Sequence, residues 1–154
     1  GDEYLLRDRD GVRTPMQWKG EPGAGFSTAD PDRFYIPLVT DPDYAPVVVN
    51  VESQQADEGS LLRWVRTLLA DRSRLPVLGT GSFALIDTGD PAVLGYRRTN
   101  DEADLTVLAN FATTPRVVSL AAPMTEVRTG RSLGETIELP GHAFSWLAEH
   151  TGAM

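Results

Sequence analysis

Three arginines and two aspartates crowd residues 7–18, RDRDGVRTPMQW, just ahead of Pro15, Met16, Gln17 and Trp18. Two kinds of chemistry are open to such a set. Asp8 and Asp10 stand two positions apart and would project to one side of an extended segment. Acid–base work would need a further acid across a substrate, and nothing nearby supplies one. Charge pairing with Arg7, Arg9 and Arg13 is the role expected of them. A guanidinium, in contrast, offers five donors in a fixed fork, which can grip a carboxylate or neighbouring hydroxyls. The open question is whether this stretch is a solvated loop, a structural plug or one wall of a binding site.

Other residues could do chemistry, and each has a plainer use. Trp18 and Phe26 could stack on a sugar ring, but are expected to pack the loop. Asn50, Glu52 and Gln54 alternate in NVESQ and would share a face if extended; hydrogen-bonding the loop backbone is their expected work. Phe83, Tyr96 and Trp146 could form a surface platform, although their alternating neighbours point to packing. His142 and His150 have no metal-ligand spacing and suit surface or turn positions. Neither GEPGAG nor GTGS lies between a strand and a helix as a phosphate loop must.

Composition narrows the classes. The chain has 154 residues, room for one domain or one and a half. It has no cysteine, which removes disulfides and thiol catalysis and argues against structural zinc. A net charge of −8 argues against a nucleic-acid partner. The charge is uneven: residues 1–57 carry eleven acidic against five basic side chains. Carboxylates and guanidiniums together suit a neutral, hydroxyl-rich ligand, as well as an ordinary acidic surface. No apolar run approaches the roughly 18 residues of a membrane span. The first ten residues lack the pattern of a signal peptide; the cytoplasmic home expected here rests on the absence of cysteine. Gly1, where a start Met would stand, suggests a chain cut from something longer.

The elements that must position these groups fall into three zones. Residues 1–57 are irregular, punctuated by KGEPGAGF, ADPDRF and TDPDYAP, with YAPVVVNVES as a short extended piece. So long an irregular stretch should drape over something larger. Residues 57–73 form the clearest helix. Leu61, Leu62, Val65, Leu68 and Leu69 make one apolar stripe that Trp64 widens, expected to serve core packing. Asp57 or Ser60 should cap its start, and Pro76 blocks continuation. Beyond Pro76 the period becomes two. Seven short segments, 81–89, 92–99, 104–111, 116–122, 124–130, 135–140 and 143–149, are separated by turn residues, the pattern of a small antiparallel sandwich or barrel.

The motifs DRDGVRTPMQW and GAGFS resemble the segment after the last barrel strand in α-glucosidase-like members of the α-amylase family of glycoside hydrolases (family 13). RFYIPLVTDPDYAPVVVNVESQ is similar to the matching stretch of the family's trehalose synthases, which interconvert maltose and trehalose. SLLRWVRTLLADRSRLPVLGTGSFALIDTGDPAVLGYRR resembles the family's final barrel helix and the first strands of its C-terminal domain. LTVLANFATTPRVVSL resembles the next two strands, and GDEY the end of the eighth barrel strand.

The resemblance implies a mainly β fold: a C-terminal antiparallel β-sandwich preceded by the irregular last loop and final helix of a (β/α)8 barrel. The division would fall at residues 1–76 and 77–154. The three catalytic carboxylates would lie on earlier barrel strands, as would the calcium site of many relatives, so no catalytic residue, metal ligand or cofactor is assigned here. Arg13 would pair with an upstream acid and close the blind end of the glucose pocket. Arg9 would lie nearer the acceptor side. Met16, Gln17 and Trp18 would anchor the loop and hold the arginine still. The isolated chain is expected to be inactive, with a sugar as the small-molecule partner of the whole enzyme. The alternatives are a fragment of a hydrolytic α-glucosidase, or a stand-alone β domain with a structural or α-glucan-binding role. The stripe on 57–73, uncovered, would favour self-association.

Overall fold

The period-two segments become eight antiparallel strands in the computed structural model, which describes residues 13–149. These are β1 (Ser82–Ile86), β2 (Val93–Thr99), β3 (Asp104–Asn110), β4 (Arg116–Ser119), β5 (Met124–Glu126), β6 (Ser132–Leu133), β7 (Thr136–Leu139) and β8 (Phe144–Glu149). Six form one sheet in the order β1-β2-β3-β8-β5-β6, and β4 pairs with β7. The fold is therefore mainly β and sandwich-like. All seven expected segments carry a strand, and β6 is an addition inside a stretch read as a separator. The turn chemistry explains it. Gly130 adopts a φ of 72° and its N–H donates to the Glu126 carbonyl, 2.8 Å away. The Glu126 carboxylate accepts from the Thr129 N–H at 2.7 Å and from the Thr129 hydroxyl. This knot folds β6 back on β5.

Strand β3 lies between β2 and β8 in the larger sheet, and Leu105 to Leu108 along it are all buried. The reason is a core on each face. Leu108, with Val93 and Leu147, packs on Val118, Ile137 and Leu139 of the two-stranded sheet. Leu105 and Val107 pack on Val77 and Leu78 of helix α3 (Val77–Thr80). Burying one such side chain is worth roughly 1.5–3 kcal/mol, so these two clusters dominate the stability of the β module.

By its contacts the chain forms two compact units, residues 1–69 and 70–154. In the first, YAPVVVNVES is not extended. Val48 and Val49 donate to the Ala45 carbonyl in a turn, and helix α1 (Val51–Ala56) follows. Asn50 is the reason: its Oδ1 accepts from the Ser53 N–H at 2.8 Å and caps the helix. This local cap outweighs the strand preference of three valines. Helix α2 (Leu61–Arg74) begins later than expected. Ser60 Oγ accepts from the Arg63 N–H at 3.3 Å, whereas Asp57 closes the end of α1.

Candidate functional site

The loop that follows Arg13 is held by hydrogen bonds more than by packing. Gln17 Nε2 donates to the carbonyls of Tyr44 and Val49. The Gln17 and Trp18 carbonyls accept from the Val51 and Glu52 N–H groups, at 2.9 and 3.0 Å. The loop thereby satisfies the free N–H groups at the start of α1. Met16 and Trp18 are 49% and 48% exposed, so within this chain Gln17 is the anchor. Gln17 is one of the three residues expected to anchor it.

The GAGFS motif supplies the loop's tightest feature. Gly23, Ala24 and Gly25 have φ values of 75°, 56° and 66°. A run of left-handed residues reverses the chain within a few positions, and the Ala24 carbonyl receives both the Trp18 and Lys19 N–H groups, at 2.8 and 3.0 Å. Glycine takes this conformation freely. Ala24, fully buried, does so under strain. Phe26 rests edge-on against Phe34, with ring centroids 5.9 Å apart.

Arg13 is exposed. It directly precedes Thr14 and Pro15, which line an open groove of about 540 Å³. Arg7, Asp8, Arg9 and Asp10 lie outside the described residues, as does His150. Thus the structure describes one of the two arginines expected to bind substrate.

The other groove residues are Met16, Gln17, Val39, Tyr44, Val49, Asn50, Val51, Gln54, Leu61, Leu62 and Val65. Its three amide side chains each make bonds within the unit. Asn50 Nδ2 donates to the Pro46 carbonyl at 2.8 Å, and Gln54 Oε1 accepts from the Leu62 N–H at 3.0 Å. Asn50 and Gln54 therefore do the backbone work expected of them, but from a helix instead of a strand. Glu52 is exposed in the first turn. The α2 stripe is not core in this chain: Leu61, Val65 and Leu69 are 66%, 38% and 58% exposed.

In the β module, Phe83 and Tyr96 pack with centroids 5.3 Å apart, and Trp146 packs on the α3 core. Phe83 is exposed and Tyr96 half-buried, so two of the three serve packing and one edge is open. His142 lies exposed in the turn before β8, with a φ of 58°. Among the described residues, no group of three or more histidines and carboxylates could hold a metal. No helix of the described residues is long and apolar enough to cross a membrane.

Composition and spacing did not single out Asn110. It is buried, and its Nδ2 donates to the carbonyls of Thr114, Leu139 and Pro140 at 2.9, 3.0 and 2.9 Å. Its Oδ1 accepts from the Ala112 N–H at 2.9 Å. The only available signal was an Asn followed by a turn-rich stretch, ATTP.

Comparison with known proteins agrees with this architecture. The family profile described as "Alpha amylase, catalytic domain" matches residues 2–81. The chain belongs to the alpha-amylase family. Trehalose synthase/amylase TreS of Mycobacterium tuberculosis is 40% identical over 162 residues, covering 95% of this chain and 27% of that protein. The probable oligo-1,6-glucosidase 2 of Bacillus subtilis is 34% identical over 108 residues, covering 70% of this chain and 18% of the relative. Among solved structures, the alpha-glucosyl transfer enzyme XgtA superposes with a TM-score of 0.74 at 32% identity, over 92% of this chain and 26% of that one. The chain thus spans about a quarter of the length of these proteins.

Proposed function

We propose that this chain is the C-terminal part of a retaining enzyme acting on α-glucosidic bonds, most specifically by moving a glucosyl unit between maltose and trehalose. The observation that carries the reading is the likeness to a trehalose synthase over 95% of the chain. Retaining chemistry needs a carboxylate nucleophile and a carboxyl acid/base on either side of the glycosidic bond. The chain supplies neither, so alone it does not turn over maltose. Its contribution is positioning, through Arg13 and Arg9. A guanidinium paired with an acid elsewhere in the barrel closes the blind end of the pocket and fixes the glucosyl unit through its hydroxyls. That grip matters most when released glucose must be recaptured before it escapes.

A hydrolytic α-glucosidase is the second reading, supported by the likeness to an oligo-1,6-glucosidase over 70% of the chain. The two differ in product. Full-length protein containing this chain, incubated with maltose, is expected to form trehalose in excess of free glucose, measured by anion-exchange chromatography. Glucose as the sole product would replace the first reading with the second.

A further inference from the structure

Strand β8 buries two of its residues, Ser145 and Leu147. Leu147 joins the core, whereas Ser145 brings a hydroxyl opposite Leu108, its partner in register on β3. Ser145 is 4% exposed, and its Oγ has no hydrogen-bond partner within the protein. An unbonded buried hydroxyl destabilises a fold, and alanine would fill the position without that cost. A chain departs from such a local rule mainly where a site uses the group. Ser145 lines an open cleft of about 350 Å³. Strand β7 of the smaller sheet contributes one wall, and the β5–β6 turn with the start of β8 the other. Small-molecule sites usually hold about 300–1,000 Å³, so this cleft suits a compact ligand.

The lining selects the class of ligand. Arg128, Arg131, Glu126 and Glu138 place two guanidiniums and two carboxylates around the cleft. An anion would meet both carboxylates, and a cation both guanidiniums. A neutral ligand rich in hydroxyls uses all four, because a hydroxyl donates to a carboxylate and accepts from a guanidinium. Ile137, Leu139 and Pro140 add an apolar wall for its C–H groups. The polar groups are unequally free. Arg128 is held by Asp71, with Nε 3.3 Å from Oδ2, and its guanidinium lies 5.5 Å from the centre of the Phe144 ring. Arg131 is exposed and stands outside the ion pairs of the described residues. Glu126 is 7% exposed, and both bonds from Thr129 fall on its Oε2, which leaves Oε1 open. We propose that this cleft binds a neutral mono- or disaccharide, with Ser145 Oγ and Glu126 Oε1 at its buried end and Arg131 at its mouth. The proposal stands on the β module alone and does not rest on the functional reading above.

The test is titration of the isotope-labelled 154-residue chain with glucose, maltose and trehalose in turn, read by backbone amide NMR. Saturable shifts confined to residues 126–131 and 137–146 are the expected result with at least one sugar. Arg131→Ala should weaken that binding about tenfold or more, and Ser145→Ala about threefold or more, the scales of a charged and a neutral hydrogen bond. Glu102→Ala, in the exposed turn between β2 and β3, should leave it unchanged. The thermal melt of the β module separates binding from structure. Ser145→Ala removes an unbonded hydroxyl, so it should melt no lower than the wild type. Five results would overturn the proposal: no saturable shift with any of the three sugars, shifts centred outside the cleft, unchanged affinity in both variants, a lower melt for Ser145→Ala, or the same shifts with calcium chloride or sodium phosphate. A lower melt would show the hydroxyl satisfied as part of the fold, and a response to either salt would make the cleft an ion site. Conversion of maltose by full-length protein is a separate readout, whose failure would remove the functional reading and leave the cleft proposal in place.

Discussion

Ala24 shows how one residue sets the shape of the loop beside Arg13. Left-handed backbone costs a non-glycine residue of order 1–3 kcal/mol, and it persists only where the surroundings fix it. Here the fixing comes from two N–H groups on one carbonyl and from complete burial of the side chain. A β-branched residue tolerates this φ worst. Ala24→Val is therefore expected to destabilise the first unit by about 1–3 kcal/mol. The check is urea unfolding followed by Trp18 and Trp64 fluorescence in a Trp146→Phe background. An unchanged midpoint would mean that the loop relaxes without consequence. The carboxylates of this loop were the tempting residues from sequence, yet Gln17 and Asn50 carry its geometry. Amide side chains give no periodic signal, and their importance comes from carbonyls 4 to 32 positions away.

Among elements, the strands were the most legible. Alternation, β-branched content and turn residues located all seven segments. Strands β5, β7 and β8 alternate between core and surface, whereas β1 is exposed along its whole length and was legible from its residue types and flanking turns. The helix preference of residues 51–56 was hidden behind three valines, and was decided by the Asn50 cap. The pair β4–β7 depends on a side chain that no pattern announces. Asn110, at the end of β3, holds the Leu139 and Pro140 carbonyls where β7 ends, and the Thr114 carbonyl just before β4. Replacing it by alanine leaves the buried Leu139 carbonyl and the part-buried Thr114 and Pro140 carbonyls without this donor, and a buried unsatisfied group costs about 1–3 kcal/mol. Asn110→Ala should lower the melting temperature of the β module, read by Trp146 fluorescence, and Asn110→Asp should do no better because a carboxylate cannot donate. A wild-type melt in either variant would remove Asn110 from the architecture.

The molecule as a whole pairs a β module with two cores of its own and a first unit with no buried large apolar side chain among its described residues. That asymmetry explains why the fold was legible and the site only in part. Periodicity reports burial within a chain, whereas Arg13 and the α2 residues Leu61, Val65 and Leu69 are exposed in this one. The family likeness was carried by RTPMQW, GAGFS and NVESQ, segments whose strained turn and capping amides the structure explains. In the proposed enzyme, Arg13 retains glucose between cleavage and re-attack. The ratio of trehalose to free glucose formed from maltose by full-length protein, with and without Arg13→Ala, tests this most directly. Loss of the guanidinium should lower that ratio about tenfold or more, the scale of one charge-assisted contact. An unchanged ratio in a folded variant would show that Arg13 does not hold the sugar.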